Sequence, residues 1–170
     1  MDLHKLIREV ADFPTPGIQF RDITPLLADG PAFEYVIEWL VSLYDNVGID
    51  VVIGIESRGF ILGGPLANRL GLGFIPIRKP GKLPAEHYTE SYDLEYGSDA
   101  LQIHRDALQP GQRVVIVDDL LATGGTAVAA TRLVKMTGAH LCGLAFLVEL
   151  AALGGRTELE PYQVESLVTF

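Results

Sequence analysis

Apolar and polar positions along the chain predict strands and helices that alternate. Apolar runs, typical of strands buried on both faces, predict strands at 51–55, 73–77, 113–117 and 140–149, and a last short strand is predicted at 166–170. Apolar residues at helical spacing predict helices at 2–10, at 31–46, from the turn at 56–59 to about 70, and at 126–137. Two proline-containing segments with little periodicity, 13–31 and 79–90, are predicted to be loops, and 94–96 is predicted to form a hairpin with 101–104.

This alternation predicts an α/β fold, in which helices cover both faces of a parallel sheet. The chain has 170 residues with no repeat or linker, so we expect a single domain over 1–170. In parallel sheets, ligands bind at the carboxyl ends of the strands, where the loops 56–59 and 118–126 fall. The hairpin fits a small antiparallel flap over the same edge.

The loop after the predicted strand 113–117 has the composition of a phosphate-binding site. Two adjacent carboxylates, Asp118 and Asp119, are followed closely by small and hydroxyl-bearing residues, which are Ala122, Thr123, Gly124, Gly125 and Thr126. The glycines let the backbone approach an anion, and the next helix directs its positive end to the same place. No lysine follows the glycines, so this is not a Walker P-loop. We therefore expect this loop to hold a phosphate monoester. The two carboxylates would accept hydrogen bonds from ribose hydroxyls or help to hold magnesium.

Charge and composition exclude several classes of function. The net charge of −9 argues against a nucleic-acid partner, which needs a basic face. No apolar run approaches the roughly 20 residues of a membrane span, and the N-terminus lacks the order of a signal peptide, so we expect a cytoplasmic chain. The lone Cys142 excludes an internal disulfide. Basic residues nevertheless occur at Arg58 and in a cluster formed by Arg78, Lys79 and Lys82, which indicates local anion binding.

Four segments in order carry a resemblance to a known family. The segment VDDLLATGGT at 117–126 resembles the phosphoribosyl-diphosphate motif of type I phosphoribosyltransferases. FPTPGIQFRDITP at 13–25, ESRGF at 56–60, and RKPGKLP at 78–84 with YDLEYG at 92–97 narrow the resemblance to adenine phosphoribosyltransferases. The resemblance extends from about residue 5 to 168. It implies the type I fold with a small flap or hood, and a base-binding segment at about 1–30.

The implied reaction transfers a 5-phosphoribosyl group from 5-phosphoribosyl 1-diphosphate to adenine, giving AMP and diphosphate. The resemblance also implies Mg²⁺ as cofactor and a homodimer. The segment 122–126 would hold the 5-phosphate, and Asp118 and Asp119 the ribose hydroxyls. The diphosphate would lie on Glu56, Ser57 and Arg58, in a loop that often has a non-proline cis peptide. In related dimers the basic loop reaches the partner's site, so contacts in trans are expected from Arg78, Lys79 and Lys82.

For the base, the resemblance implies that adenine lies between Phe20 and Leu150. The backbone of Gln19 and Arg21 would read the exocyclic amine, although family members usually carry an aliphatic residue in place of Gln19. Glu95 would be the proton donor, with Tyr96 beside it on the flap. Glu95 and Arg58 are thus the expected catalytic residues, since Arg58 and magnesium would neutralise the departing diphosphate.

Two alternatives remain open from the sequence. The Asp118-Asp119 pair and the phosphate-binding loop after it are shared with phosphoribosyltransferases for hypoxanthine, xanthine or orotate. Only the segments 13–25 and 94–97 favour adenine. A regulator could also keep this fold to sense phosphoribosyl diphosphate without catalysis. Such regulators usually add a DNA-binding domain, for which this acidic chain has no room.

Overall fold

The fold is taken from a computed structural model, which describes residues 1–93 and 97–170. The elements in chain order are β1 (Arg8–Ala11), β2 (Gln19–Asp22), α1 (Thr24–Ala28), α2 (Gly30–Tyr44), β3 (Val51–Ile55), α3 (Arg58–Leu70), β4 (Gly73–Ile77), β5 (His87–Asp93), β6 (Ser98–His104), β7 (Arg113–Leu121), α4 (Gly125–Thr137), β8 (His140–Glu149), α5 (Gly155–Glu158) and β9 (Val164–Thr169). Short 3₁₀ turns lie at Leu3–Leu6 and Ala151–Leu153. No helix in these ranges is long and apolar enough to cross a membrane.

The chain divides into two compact units, Met1–Trp39 and Leu40–Phe170. The boundary falls inside α2, whose bounds agree with the predicted helix at 31–46 to within two residues. One domain over 1–170, with a base-binding segment at about 1–30, stays a prediction.

In the first unit, β1 and β2 form an antiparallel pair. The predicted helix at 2–10 is wrong, because only Leu3–Leu6 turns helically and the residues after it pair with β2. Val10 lies opposite Phe20, and Glu9 lies opposite Arg21 with an ion pair between their side chains. Such cross-strand pairs stabilise a strand that helical spacing alone does not reveal.

The predicted loop at 13–31 is also wrong in part, since β2 and α1 lie inside it. Its prolines are typical of loops, but one of them occupies the first turn of α1. Proline is tolerated at that position because the N–H groups of the first turn have no hydrogen-bond partner within the helix. The Asp22 carboxylate also accepts a hydrogen bond of 2.9 Å from the backbone N–H of Thr24 at the start of α1.

The second unit contains a five-stranded parallel sheet in the order β4-β3-β7-β8-β9. This confirms the predicted α/β class, and β3, β4 and β8 have their predicted bounds. β7 continues past its predicted end at 117, because Leu120 and Leu121 still pair with β8. The last strand begins two residues before the predicted 166–170.

Helices cover both faces of this sheet, as predicted. On one face Ile53, Ile116 and Phe146 belong to the same buried cluster as Leu133 of α4. The next residue of β3, Gly54, points to the opposite face, because successive strand residues alternate. A Cβ atom on Gly54 would lie 2.9 Å from the carbonyl oxygen of Gly59 in α3 and 2.8 Å from the ring of Phe74, so glycine at this position lets α3 pack closely on the sheet.

The hairpin consists of β5 and β6, which pair antiparallel from His87 opposite His104 to Asp93 opposite Ser98. Its first strand therefore lies at His87–Asp93, and the predicted strand at 94–96 falls outside the described residues. The predicted loop at 79–90 is correspondingly shorter. β5 is polar enough to look like a loop, and it pairs with β6, whose Leu101 and Ile103 are fully buried.

The strand order places a crevice at one edge of the sheet. β3 lies between β4 and β7, so the chain first crosses from β3 to one side and later returns to the other side. At such a reversal the carboxyl ends of the two strands leave room for a ligand. The turn at 56–59 follows the end of β3, and the segment 118–126 comprises the last residues of β7 and the turn into α4.

Candidate functional site

A cavity of about 460 Å³ opens where β3 and β7 end. It is lined by Glu56, Ser57, Arg58, Lys79, Asp118, Asp119, Leu120, Leu121, Ala122, Thr123, Gly124, Gly125, Thr126 and Ala127. The two loops that were expected to lie at the same edge of the sheet therefore share one cavity. Both cations and carboxylates face it, so its chemistry depends on how these charges are paired.

The segment 122–126 joins the end of β7 to the start of α4. Gly124 has a φ of +91°, a left-handed conformation that favours glycine, and it caps the 13-residue helix α4. Its carbonyl accepts a hydrogen bond of 2.8 Å from Val128, which begins the helical ladder. The N-terminus of α4 therefore lies at the cavity, and a helix N-terminus attracts anions through its N–H groups and its dipole.

Asp118 and Asp119 differ in their surroundings. Asp118 is buried, and its Oδ1 accepts a hydrogen bond of 2.9 Å from the backbone N–H of Asp119. Burial raises the pKa of Asp118 well above its usual value, and the charge of Asp119 raises it further. The Asp119 carboxylate instead pairs with the Nε of Arg58. The N-terminus of α3 can approach this pair because residue 59 is glycine. A Cβ atom there would lie only 2.9 Å from Asp118 Oδ1.

Glu56 connects the loop after β3 to the end of β4. Its Oε2 accepts hydrogen bonds of 2.9 Å each from the Nε of Arg78 and the backbone N–H of Lys79. Burial acts against the charge, but these hydrogen bonds prevail and lower the pKa of Glu56. The peptide bond between Glu56 and Ser57 is cis, as the resemblance implies. Arg78 thus holds the loop in place and is not itself part of the cavity lining.

The ammonium group of Lys79 is bound by the hairpin. Its Nζ donates to Asp99 and, at 3.1 Å, to the hydroxyl of Tyr92. The hydrogen bond from Lys79 lowers the pKa of Asp99. Burial alone would lower the pKa of Lys79, but its hydrogen bonds to Asp99 and Tyr92 outweigh this effect and raise it. Lys79 lines the cavity of its own chain, so the chain's own fold brings it to this site. The expected contacts in trans stay a prediction.

Other predicted site residues lie elsewhere or cannot be placed. Lys82 is exposed in the loop after β4 and does not line the cavity. Leu150 directly follows β8 and is half-buried. Its backbone N–H donates a hydrogen bond of 2.9 Å to the carbonyl of Leu121. Glu95 and Tyr96 lie outside the described residues.

The predicted base-binding residues of the first unit are on β2. Phe20 is half-buried and makes an edge-to-face contact with the exposed Phe13, with ring centroids 5.2 Å apart. Gln19 is exposed, and Arg21 pairs with Glu9 across the strands. Each of these residues therefore belongs to one small hairpin, which fits a shared role.

Sequence reasoning missed residues that do not line the cavity but contact the residues or the backbone that do. Tyr92 belongs to a quoted motif, but only the hairpin register, in which it lies opposite Asp99, shows that both reach Lys79. Gly155 and Arg156 follow β8 and were not singled out. A glycine that contacts a distant loop leaves no local pattern, so no signal in one sequence could have found it.

The chain is similar over its whole length to known enzymes. The model of the phosphoribosyl transferase domain family matches residues 25–168. The adenine phosphoribosyltransferase of Thermosynechococcus vestitus is 58% identical over 170 residues, which cover 100% of both chains. The crystal structure of the adenine phosphoribosyltransferase from Thermoanaerobacter pseudethanolicus matches with a TM-score of 0.96 at 52% identity, over 99% of this chain and 98% of that one.

A second solved structure is that of adenine phosphoribosyltransferase from Saccharomyces cerevisiae, in complex with adenine and an imino-altritol bisphosphate. It matches with a TM-score of 0.92 at 40% identity, over 98% of this chain and 96% of that one. The sequence relatives and the solved structures thus agree on one family and cover nearly the whole chain. The chain belongs to the adenine phosphoribosyltransferase family.

Proposed function

We propose that the chain transfers the 5-phosphoribosyl group of 5-phosphoribosyl 1-diphosphate to adenine and releases AMP and diphosphate. The observation that carries this proposal is the full-length similarity to adenine phosphoribosyltransferases, at 58% identity to the one from T. vestitus. The relatives described above support neither a phosphoribosyltransferase for another base nor a non-catalytic regulator. The residues that line the cavity support this proposal.

The donor's 5-phosphate fits the segment 122–126. The backbone there turns into α4 at Gly124, so successive N–H groups and the helix dipole favour a dianion without a lysine. Asp118 and Asp119 line the same cavity and can accept hydrogen bonds from the ribose hydroxyls. Since burial raises the pKa of Asp118, the pair need not carry two full charges beside one sugar.

The leaving diphosphate fits the cations of the cavity. The bond from C1 of the ribose to the diphosphate oxygen breaks as C1 bonds to a ring nitrogen of adenine, and positive charge develops on the ribose ring. Arg58 and Lys79 line the cavity and can stabilise the negative charge on the departing group. Glu56 fixes the backbone of Lys79, so this cation starts from a defined position.

For the base, we propose the contacts that the resemblance implies. Phe20 and Leu150 would enclose the adenine ring, and the backbone of Gln19 and Arg21 would read its exocyclic amine. The base loses one proton overall as the new bond forms, and the carboxyl group of Glu95 would move a proton on or off a ring nitrogen, with Tyr96 nearby. An exposed Gln19 is compatible with recognition through its backbone.

Magnesium is the expected cofactor, and the residues present fit it. No group of three or more His, Cys, Asp or Glu side chains that could hold a metal lies among residues 1–93 and 97–170. Mg²⁺ usually keeps several waters and takes one or two carboxylates together with substrate oxygens, a donor set that Asp118 and Asp119 can complete. Bound in this way, it would neutralise charge on the diphosphate.

A homodimer and a cytoplasmic location are further parts of the proposal. In a dimer, Arg78, Lys79 and Lys82 could also contact the site of the partner subunit, as the resemblance implies. Sedimentation equilibrium would test the dimer, because a single chain has a mass of 18.5 kDa. Fractionation of cells that express the tagged chain would test its location.

The proposed reaction is tested by mixing the purified chain with adenine and 5-phosphoribosyl 1-diphosphate. We expect AMP and diphosphate in equal amounts when Mg²⁺ is present, and only background formation after the metal is chelated, because the diphosphate charge is then not neutralised. Chromatography of the nucleotide product measures the outcome.

Xanthine, hypoxanthine and orotate serve as matched controls for the base. Turnover with one of these and none with adenine would overturn the proposed specificity. Binding of 5-phosphoribosyl 1-diphosphate with no nucleotide formed from any base would favour the regulator instead. Full activity in the presence of a chelator would exclude magnesium as a requirement.

The substitution Asp99→Asn is expected to lower the KM for 5-phosphoribosyl 1-diphosphate about twofold to fivefold. The ammonium of Lys79 is paired with Asp99 and must leave it to reach a diphosphate. Partly exposed ion pairs are worth about 0.2–1 kcal/mol, which corresponds to a factor of about 1.4 to 5. Initial-rate kinetics with saturating adenine measure the change.

Asp93→Asn is the matched control for Asp99→Asn. Asp93 is an exposed carboxylate on the same hairpin, and its substitution removes one charge without touching Lys79. A higher KM in Asp99→Asn than in Asp93→Asn would refute competition between Asp99 and the diphosphate.

A further inference from the structure

Gly155, the first residue of α5, lies against the backbone of the segment 122–126. A Cβ atom at this position would overlap the carbonyl oxygen of Ala122 and lie 2.9 Å from the backbone nitrogen of Gly124. Both neighbours are main-chain atoms, so neither can rotate away as a flexible side chain would. Only glycine therefore lets α5 pack onto this segment.

The contact is close from the other side as well. A Cβ atom on Gly124 would lie 2.9 Å from the carbonyl oxygen of Gly155 and 3.2 Å from Cβ of Glu158. Gly124 also needs its positive φ of +91° to start α4. Two glycines, far apart in sequence, thus allow direct backbone packing between α5 and the phosphate-binding segment.

Arg156 attaches α5 to the sheet. Its guanidinium makes a bidentate contact with Glu149 at the end of β8, with distances of 3.0 Å from Nε to Oε1 and 2.5 Å from Nη2 to Oε2. It also donates to the carbonyl of Val164 in β9 and, at 3.3 Å, to the hydroxyl of Ser166. Bidentate pairs of this kind combine strength with a defined orientation.

We propose that Gly155 and Arg156 are positioning residues for the 5-phosphate of the donor. Gly155 supports the segment 122–126 from the side of α5, and Arg156 fixes α5 against β8 and β9. Neither residue lines the cavity, so both act through the backbone of Ala122 and Gly124. The inference rests on the proposed function, because it requires that this segment binds the phosphate.

The proposed contact makes a specific prediction for Gly155→Ala. The added methyl group must displace Ala122 and Gly124, and a shift of about 1 Å in a positioning group can lower activity about 100-fold. We expect the KM for 5-phosphoribosyl 1-diphosphate and the Kd for ribose 5-phosphate each to rise about tenfold or more. The KM for adenine should stay within about twofold, because the displaced atoms face the phosphate.

Gly64→Ala is the matched control. Gly64 is a glycine of α3 whose Cβ would meet nothing within 4 Å, so the same substitution should leave all three constants unchanged. Isothermal titration with ribose 5-phosphate gives a readout that does not depend on turnover. Thermal unfolding of each variant shows whether it is folded at the assay temperature.

Arg156→Lys decides the matter if Gly155→Ala does not fold. Lysine keeps the charge beside Glu149 but cannot make the bidentate contact, so we expect a smaller rise in the same two constants. Weaker ribose 5-phosphate binding with an unchanged adenine KM supports the inference. Unchanged binding in the folded variants, or an equal rise in the adenine KM, overturns it.

The outcomes also separate this inference from the proposed function. If the wild-type chain forms AMP and Gly155→Ala has wild-type constants, the function stands and the positioning role fails. If the wild-type chain binds ribose 5-phosphate without forming AMP and Gly155→Ala loses that binding, the positioning role stands and the proposed reaction fails.

Discussion

The double substitution Asp118→Asn with Asp119→Asn is expected to lower kcat/KM for 5-phosphoribosyl 1-diphosphate by about 10²- to 10⁴-fold. Hydrogen bonds to charged groups are worth about 1.5–3 kcal/mol, and two would be weakened towards the ribose hydroxyls. Arg58 would also lose the carboxylate that now pairs with it. Steady-state kinetics with adenine held at saturation measure the loss.

The double variant should remain folded. Burial raises the pKa of Asp118, so a neutral amide of the same shape avoids burying a charge at this position. Asp106→Asn, at an exposed carboxylate outside the cavity, is the matched control. An unchanged kcat and KM in the double variant would remove the two carboxylates from donor binding.

Glu95→Gln is expected to lower kcat by about 10²- to 10⁴-fold, the usual contribution of a general acid or base. Both KM values should change little, because proton transfer takes place in the transition state and not in substrate binding. This role comes from the resemblance, since Glu95 lies outside the described residues. Single-turnover measurements with both substrates bound would separate the chemical step from product release.

Glu86→Gln provides the control for Glu95→Gln. Glu86 is exposed just before β5 and precedes the same hairpin, so its substitution tests the loss of a carboxylate without loss of the proposed proton donor. A Glu95→Gln variant with the wild-type kcat would exclude Glu95 from the mechanism. A large rise in KM with constant kcat would assign it to binding instead.

Much of the fold could be predicted because the central strands are continuous apolar runs. β3 and β8 have their predicted bounds, since a strand buried on both faces needs apolar residues at nearly every position. β4, at the edge of the sheet, also has its predicted bounds. The errors fall where pairing supplies the stability. β1 and β5 are polar or carry helical spacing, and each forms because a neighbouring strand pairs with it.

The candidate site was predictable to the extent that its chemistry lies in contiguous segments. The segments 56–58 and 118–126 each carry their own donors and carboxylates, and the rule for parallel sheets placed both at one edge. The partners of Lys79 could not be predicted, because Tyr92 and Asp99 meet only through the hairpin register. The individual roles of the site residues stay predictions that the variants above would test.

The amino-acid sequence by itself determined the α/β class, the order of the motifs and the family, because these depend on local hydrophobic patterns and short segments. Only the tertiary structure decided how the charges are paired. It placed Arg58 on Asp119, Lys79 on Asp99, and Gly155 on the backbone of Gly124. Such pairings join residues that are far apart in the chain, and whether two side chains meet depends on register and packing that no local pattern specifies.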